Sequence, residues 1–260
     1  MTVNSLTKPV YIIGNPVKHS KSPVFQNAAF EYSNLNLIYL ALNVEQDNFD
    51  CLINGLKSTE IAGLNITVPY KLDIIKHANS LSKEAAIIGA VNCIEVLNNR
   101  WIGHNTDWYG VLKTLEINSI NKKSKTLVYG AGGATAGVIY GLKQYGIDDI
   151  TITNRTISKA HETANKFNIK TILSDEICNE KFDFYINTTT VDFDFLIKDF
   201  NYQSVYFDLK YYNKPINHHK FIDGKLMLLY QGAMSFEIWS KQTAPLEIMK
   251  NALFENKTNL

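Results

Sequence analysis

The chain has 260 residues, 45% hydrophobic and 12% aromatic, which is enough apolar material for one large or two modest packed domains and excludes a disordered chain. A net charge of +1 gives no basic field for nucleic acid or an acidic membrane surface. Cys51, Cys93 and Cys178 have no C-x-x-C spacing, so neither a disulfide framework nor a zinc site is expected, and no metal is assigned. With no signal-like start and no apolar run of about 18 residues, the reading is a soluble protein of a reducing cytoplasm.

Val10 to Gly14 reads as a buried strand running into the polar loop NPVKHSKSP, and Ser22-Pro23 as the N-cap and first residue of a helix. A second strand is expected over Leu37 to Val44, followed by a helix with Phe49, Leu52, Ile53 and Leu56 on its apolar face. Ile61 to Val68 reads as a third strand ended by Pro69, with Lys71 heading a short helix to about His77. A helix over 81–88 leads to Gly89-Ala90-Val91-Asn92, then to a hairpin-like pair, Val91 to Leu97 and Arg100 to His104. Asn105-Thr106-Asp107 caps the next helix, and the polar stretch Asn118 to Lys125 divides the chain.

Thr126 to Tyr129 is a short apolar strand, followed by Gly130-Ala131-Gly132-Gly133-Ala134, a helix closed by Gly146, and a strand over Ile150 to Thr153. This strand, glycine turn, helix and strand fit the roughly 30 residues of a βαβ unit. Its glycines would let the backbone approach a pyrophosphate seated on the helix N-terminus. The G-x-G-x-x-G pattern is incomplete, because Thr135 holds its third position, and a tight βα turn without a ligand needs the same glycines. Where an NAD site wants an acid at the end of the second strand, this chain has Asn154-Arg155-Thr156. A guanidinium there suits a 2′-phosphate, so NADP is the expected dinucleotide.

Beyond it, a helix is expected over 158–167, strands at Thr171 to Leu173, Phe182 to Asn187 and Ser204 to Asp208, and a last strand at Lys225 to Leu229. One or two helices carrying Phe236, Trp239, Leu246, Met249 and Leu253 close the chain. Strands alternating with helices mean an α/β fold with mostly parallel sheets. Ser20, Ser22, Asn65, Thr67, Lys71, Asn92 and Asp107 fall where strands end, the edge at which such sheets bind ligands. Ser22 and Asp107 are equally read as N-caps, and Asn65 and Thr67 as solvent-facing positions. Lys71 is misplaced for the dipole of the helix it would head, which favours a task other than stability.

The motifs GNPVKHSKSP (14–23), NITVPYK (65–71), GAVN (89–92), GHNTDWYG (103–110), GAGGA (130–134), NRT (154–156) and GKLMLLYQGAMSFEIW (224–239) resemble those of the shikimate dehydrogenase family. The resemblance runs from about Tyr11 to Trp239, and the order and spacing of the motifs make it specific. It implies two α/β domains: an N-terminal substrate domain over 1–106 with 236–260, and a Rossmann domain binding NADP over 107–235. Reversible NADPH-dependent reduction of 3-dehydroshikimate to shikimate, in aromatic amino-acid biosynthesis, would be the activity.

By motif, Ser20, Ser22, Asn65, Thr67, Asn92, Tyr211 and Gln231 would bind shikimate. Lys71 and Asp107 would form the catalytic pair and also touch the substrate. Gly130 to Ala134 would cradle the pyrophosphate, and Asn154, Arg155, Thr156 and Lys159 would hold the 2′-phosphate side. Leu209 and Gly224 would lie near the nicotinamide. The implied partners are the small-molecule substrate and the cofactor, with the chain a monomer or homodimer. This sequence departs from the family pattern at Thr135-Ala136, at Cys93 in place of a threonine, at Asp192 in place of a glycine, and in a short 211–217 loop where Tyr211 and Tyr212 compete. An NAD-using quinate/shikimate dehydrogenase and a non-catalytic ligand sensor on the same scaffold are the alternatives.

Overall fold

A computed structural model of the chain describes residues 3–191, 203–211 and 220–255. The chain divides into two compact units, Met1–Thr106 with Leu229–Leu260, and Asp107–Leu228.

The first unit contains β1 (Lys8–Gly14), α1 (Ser22–Tyr32), β2 (Leu37–Asn43), α2 (Phe49–Lys57), β3 (Gly63–Ile66), β4 (Ser80–Leu81), α3 (Lys83–Ile88), β5 (Cys93–Leu97) and β6 (Arg100–His104). Its sheet runs β2-β1-β3-β5-β6-β4. β1 is parallel to both β2 and β3, and β4 to β6, whereas β5 is antiparallel to β3 and β6. Asn98 and Asn99, both at positive φ (50° and 59°), make the tight β5–β6 turn, a conformation that asparagine tolerates better than most residues. Phe49, Ile53 and Leu56 recur at helical spacing on α2 and pack with Ile13, Leu64, Ile66 and Ile94 of the sheet. Phe49 stacks on Tyr70 with ring centroids 4.2 Å apart.

The second unit contains α4 (Asp107–Ile117), β7 (Thr126–Tyr129), α5 (Gly133–Tyr145), β8 (Ile150–Thr153), α6 (Ile157–Phe167), β9 (Lys170–Thr171), β10 (Phe184–Asn187), β11 (Val205–Asp208) and β12 (Phe221–Ile222). All neighbours in its sheet are parallel, in the order β9-β8-β7-β10-β11-β12, the doubly wound order of a dinucleotide-binding fold. β7, β8 and β10 are buried along their whole length, as strands covered by helices on both faces must be. Gly146, at φ 101°, ends α5 as expected. α7 (Lys225–Ser240) begins in this unit and continues in the first, where α8 (Leu246–Glu255) follows.

Four local expectations are corrected. Lys225 to Leu229 opens α7 instead of forming a strand, and the last strand is the two-residue β12. A short apolar run fits either state, but this one has no β-branched residue, and the Asp223 carboxylate caps it by accepting the Lys225 N–H at 3.0 Å. Ser22 is the first residue of α1, not its cap: Lys21 takes the N-cap position without a side-chain bond, and Ser20 Oγ accepts the Ser22 N–H at 3.3 Å. The third strand stops at Ile66. Lys71 lies in a turn ahead of a 3-10 helix at Asp73–His77 and heads no α-helix, so the dipole argument for it lapses.

Candidate active site

Parallel β1 and β3 end at one edge of the first unit's sheet, and antiparallel β5 begins there, since Asn65 pairs with Cys93. β6 ends there too, with His104 opposite Cys93. This register gathers Asn65, Thr67, Asn92 and Thr106 at a single edge. The Asn92 carbonyl accepts the Ile66 N–H at 2.8 Å, and the Lys71 carbonyl accepts the Val91 N–H at 2.9 Å, which ties the Lys71 turn to the segment carrying Asn92. Thr67 donates its N–H to the Ile13 carbonyl at 2.9 Å, holding it beside the end of β1.

Gln231, Ser235 and Trp239, four residues apart on α7, face this edge. Asn92 Nδ2 donates to Thr106 Oγ1 (2.9 Å) and to Gln231 Oε1 (3.3 Å), while Asn92 Oδ1 accepts the Thr106 N–H at 2.7 Å. Asn65 Nδ2 donates to the Asn92 carbonyl (2.9 Å) and to Ser235 Oγ (3.2 Å), and its Oδ1 accepts from the Tyr39 hydroxyl at 2.7 Å. Trp239 Nε1 donates to the Ile94 carbonyl at 3.0 Å. All of these amides and hydroxyls are buried. Asn65 is therefore no solvent-facing strand position. A buried, mutually bonded polar cluster holds its members in fixed orientations. Cys93 sits against Ser235 and Trp239, and burial pushes its thiol up to about 12. Lys71 is 8% exposed.

In the second unit, Asp107 is the first residue of α4 and is 3% exposed. The glycine loop joins the end of β7 to α5. Gly130, at φ 115°, donates its N–H to the Thr153 carbonyl at 2.9 Å, joining the loop to the end of β8, and a Cβ there would overlap Thr188 Oγ1. A Cβ on Gly132 would meet nothing within 4 Å, so the loop is open where a phosphate would approach the α5 N-terminus. Asn154 Nδ2 donates to the Thr156 carbonyl at 2.9 Å, while Arg155, Thr156 and Lys159 are exposed around the start of α6. Leu209 and Gly224 meet: a Cβ on Gly224 would overlap the Leu209 carbonyl, and the Gly224 N–H donates to the Lys210 carbonyl at 3.1 Å. Tyr211 follows directly and is half-buried. Asp192 and Tyr212, with the rest of the 211–217 loop, lie outside the described residues.

The model of the shikimate dehydrogenase substrate binding domain matches residues 12–94. That of shikimate/quinate 5-dehydrogenase matches 113–196, and that of the shikimate 5′-dehydrogenase C-terminal domain matches 226–254. A curated shikimate dehydrogenase (NADP(+)) of Methanocaldococcus jannaschii is 35% identical, covering 98% of this chain and 99% of its own. The chain belongs to the shikimate dehydrogenase family. The crystal structure of the Aquifex aeolicus shikimate dehydrogenase superposes with a TM-score of 0.86 at 35% identity, over 97% of this chain and 100% of that one. A shikimate dehydrogenase crystallised in complex with NADP+ gives 0.87 at 34% identity, over 98% and 97%. The two-domain α/β architecture is thus the family's, with a substrate-binding N-terminal domain and a Rossmann nucleotide domain.

Family motifs pointed to Asn65, Asn92 and Gln231, and the fold adds the hydroxyls bonded to them. Thr106, Ser235 and Tyr39 were not singled out, although the spacing of Ser235 four residues after Gln231 placed both on one helix face. Thr188, beside the glycine loop, carried no local signal, because only the β7–β10 pairing brings it there. No helix among the described residues is long and apolar enough to cross a membrane.

Proposed function

We propose that this chain is an NADP-dependent shikimate dehydrogenase, reversibly reducing 3-dehydroshikimate to shikimate in aromatic amino-acid biosynthesis. The carrying observation is identity of about one third, end to end, with relatives named shikimate dehydrogenase (NADP(+)). The retention of Lys71 and Asp107 supports an active enzyme over a non-catalytic sensor.

The first unit takes the substrate role. Ser20, Ser22, Asn65, Thr67, Asn92 and Gln231 offer the hydroxyl and amide groups that a small polyhydroxylated acid needs, and the buried amide cluster sets several of them in advance. Tyr211, which lies in the second unit, is assigned a substrate contact by motif alone. Reducing the ketone leaves an alkoxide that must gain a proton. Lys71 donates it from its ammonium, and in the oxidative direction takes the hydroxyl proton back. Asp107 is the second member of the proposed catalytic pair and accepts a substrate hydroxyl. The second unit takes the nucleotide role: Gly130, Ala131, Gly132, Gly133 and Ala134 for the pyrophosphate, and Asn154, Arg155, Thr156 and Lys159 for the 2′-phosphate side. Leu209 and Gly224 shape the nicotinamide end. When bound, the nicotinamide supplies or accepts the hydride. The unpaired cysteines support a cytoplasmic setting, with the enzyme a monomer or homodimer.

Steady-state kinetics with shikimate and each cofactor test this reading. NADP+ is expected to give the larger kcat/KM. A preference for NAD+ overturns the cofactor assignment, and no turnover with either promotes the sensor.

A further inference from the structure

β7 and β10 lie side by side where the strand order of the second unit reverses, the crevice in which such sheets hold their ligands. Two threonines meet at the end of this pair. Thr135, in the first turn of α5, is 1% exposed. Its Oγ1 lies 3.1 Å from the Gly132 nitrogen and 2.8 Å from Oγ1 of Thr188, the residue after β10. Thr188 Oγ1 lies 2.8 Å from the Tyr129 carbonyl at the end of β7.

Proton counting fixes the direction. A carbonyl only accepts and each hydroxyl has one proton. The Thr188 proton therefore goes to Tyr129, the Thr135 proton goes to Thr188, and Thr135 Oγ1 accepts the Gly132 N–H. Gly130 leaves room for this chain, since a Cβ there would overlap Thr188 Oγ1 and crowd Thr189. The third fingerprint position usually needs glycine for close helix–strand packing. Here the larger residue fits because its hydroxyl turns into the strand pair and is bonded there.

We propose that Thr135 and Thr188 are positioning residues for the cofactor. Their hydroxyl relay holds the Gly132 amide inward and pins the glycine loop to β7 and β10. The Gly133 and Ala134 amides, which have no partner within the helix, are left as the donors a pyrophosphate meets. The inference rests on the NADP-dependent reading above.

The test is the dissociation constant of NADP+ for the full chain, measured by calorimetry without substrate, for wild type, Thr135→Val, Thr188→Val, the double variant and Thr135→Ser. Either valine should weaken binding about fivefold, the loss of roughly one net hydrogen bond at tenfold per 1.4 kcal/mol. The double variant should fall well short of the product of the two, because either substitution breaks the same chain. Thr135→Ser should bind within about twofold of wild type, and the shikimate dissociation constant should not move. Thr188→Val and Thr135→Ser carry the test if Thr135→Val does not fold. Wild-type binding that neither valine weakens overturns the relay alone, as does a serine variant as weak as the valine. A wild type that fails to bind NADP+ overturns the relay and the functional reading together.

Discussion

Glu95 of β5 is buried between His104 and Lys241 of the first unit. His104 Nε2 lies 2.9 Å from Oε2, and Lys241 Nζ lies 2.5 Å from Oε1, the lysine coming from the residue that follows α7. Burial raises the carboxyl, but the bonds from Lys241 and His104 outweigh it, so its pKa is held below the usual 4.5. Glu95→Gln keeps the shape and one acceptor oxygen but removes the charge. Lys241 is 63% exposed at its side chain, so its share is screened and worth ~0.2–1 kcal/mol. The half-buried His104 contact is the stronger, as hydrogen bonds to charged groups are worth ~1.5–3 kcal/mol. With one acceptor retained, the expected loss is ~1–2 kcal/mol, read as a lower urea midpoint with unchanged slope. Because the folded pKa is depressed, this stabilisation is fully present above pH 4.5 and fades as pH falls through the folded value. The gap between wild type and variant should therefore be full at neutral pH and close in acid. A gap that is the same at neutral and acid pH, or no gap at all, would refute the reasoning.

Arg155→Gln should lower kcat/KM for NADP+ by about 10- to 100-fold, the worth of a charge-assisted phosphate contact, and leave NAD+ nearly unchanged in steady-state assays. Asn27 blocks the free edge of β2, its side chain donating to the Tyr39 carbonyl (2.9 Å) and accepting the Tyr39 N–H (2.8 Å). Asn27→Ala should cost ~1–2 kcal/mol and promote self-association through the bared edge, followed by light scattering and denaturant titration. Cys51 and Cys178 are exposed, whereas Cys93 is buried with its thiol pushed up to about 12. A thiol reagent at mildly alkaline pH should label the first two in the native protein and reach Cys93 only after unfolding, as mass spectrometry of the labelled peptides would show.

Much of this fold could be read from the chain because its punctuation is local. Gly146 ends α5 through its own backbone freedom, and the apolar face of α2 follows from spacing alone. Failures came where periodicity is silent over a few residues. The run at Lys225 is helical because Asp223 caps it and its residues favour helix, which periodicity over five residues does not reveal. Ser22 lost the cap position because Lys21 already has helical backbone angles. The site divides the same way. Motifs carried Lys71, Asn92 and Asp107, but the hydroxyls of Thr106, Ser235 and Thr188 gain their roles from strand register and helix face. Thr135 shows both sides: as a sequence it is a defect in the glycine pattern, and in the fold it is the residue that bonds the loop.

The central claim, a dehydrogenase whose proton transfer runs through Lys71, is tested most directly by turnover of 3-dehydroshikimate with NADPH in wild type and Lys71→Ala. Nicotinamide absorbance reports the hydride step, and calorimetry with shikimate separates a loss of binding from a loss of turnover. The account predicts steady reduction by the wild type and a loss of about 100-fold or more in kcat for the variant, the usual worth of a positioned general acid. Undiminished turnover by Lys71→Ala would contradict it.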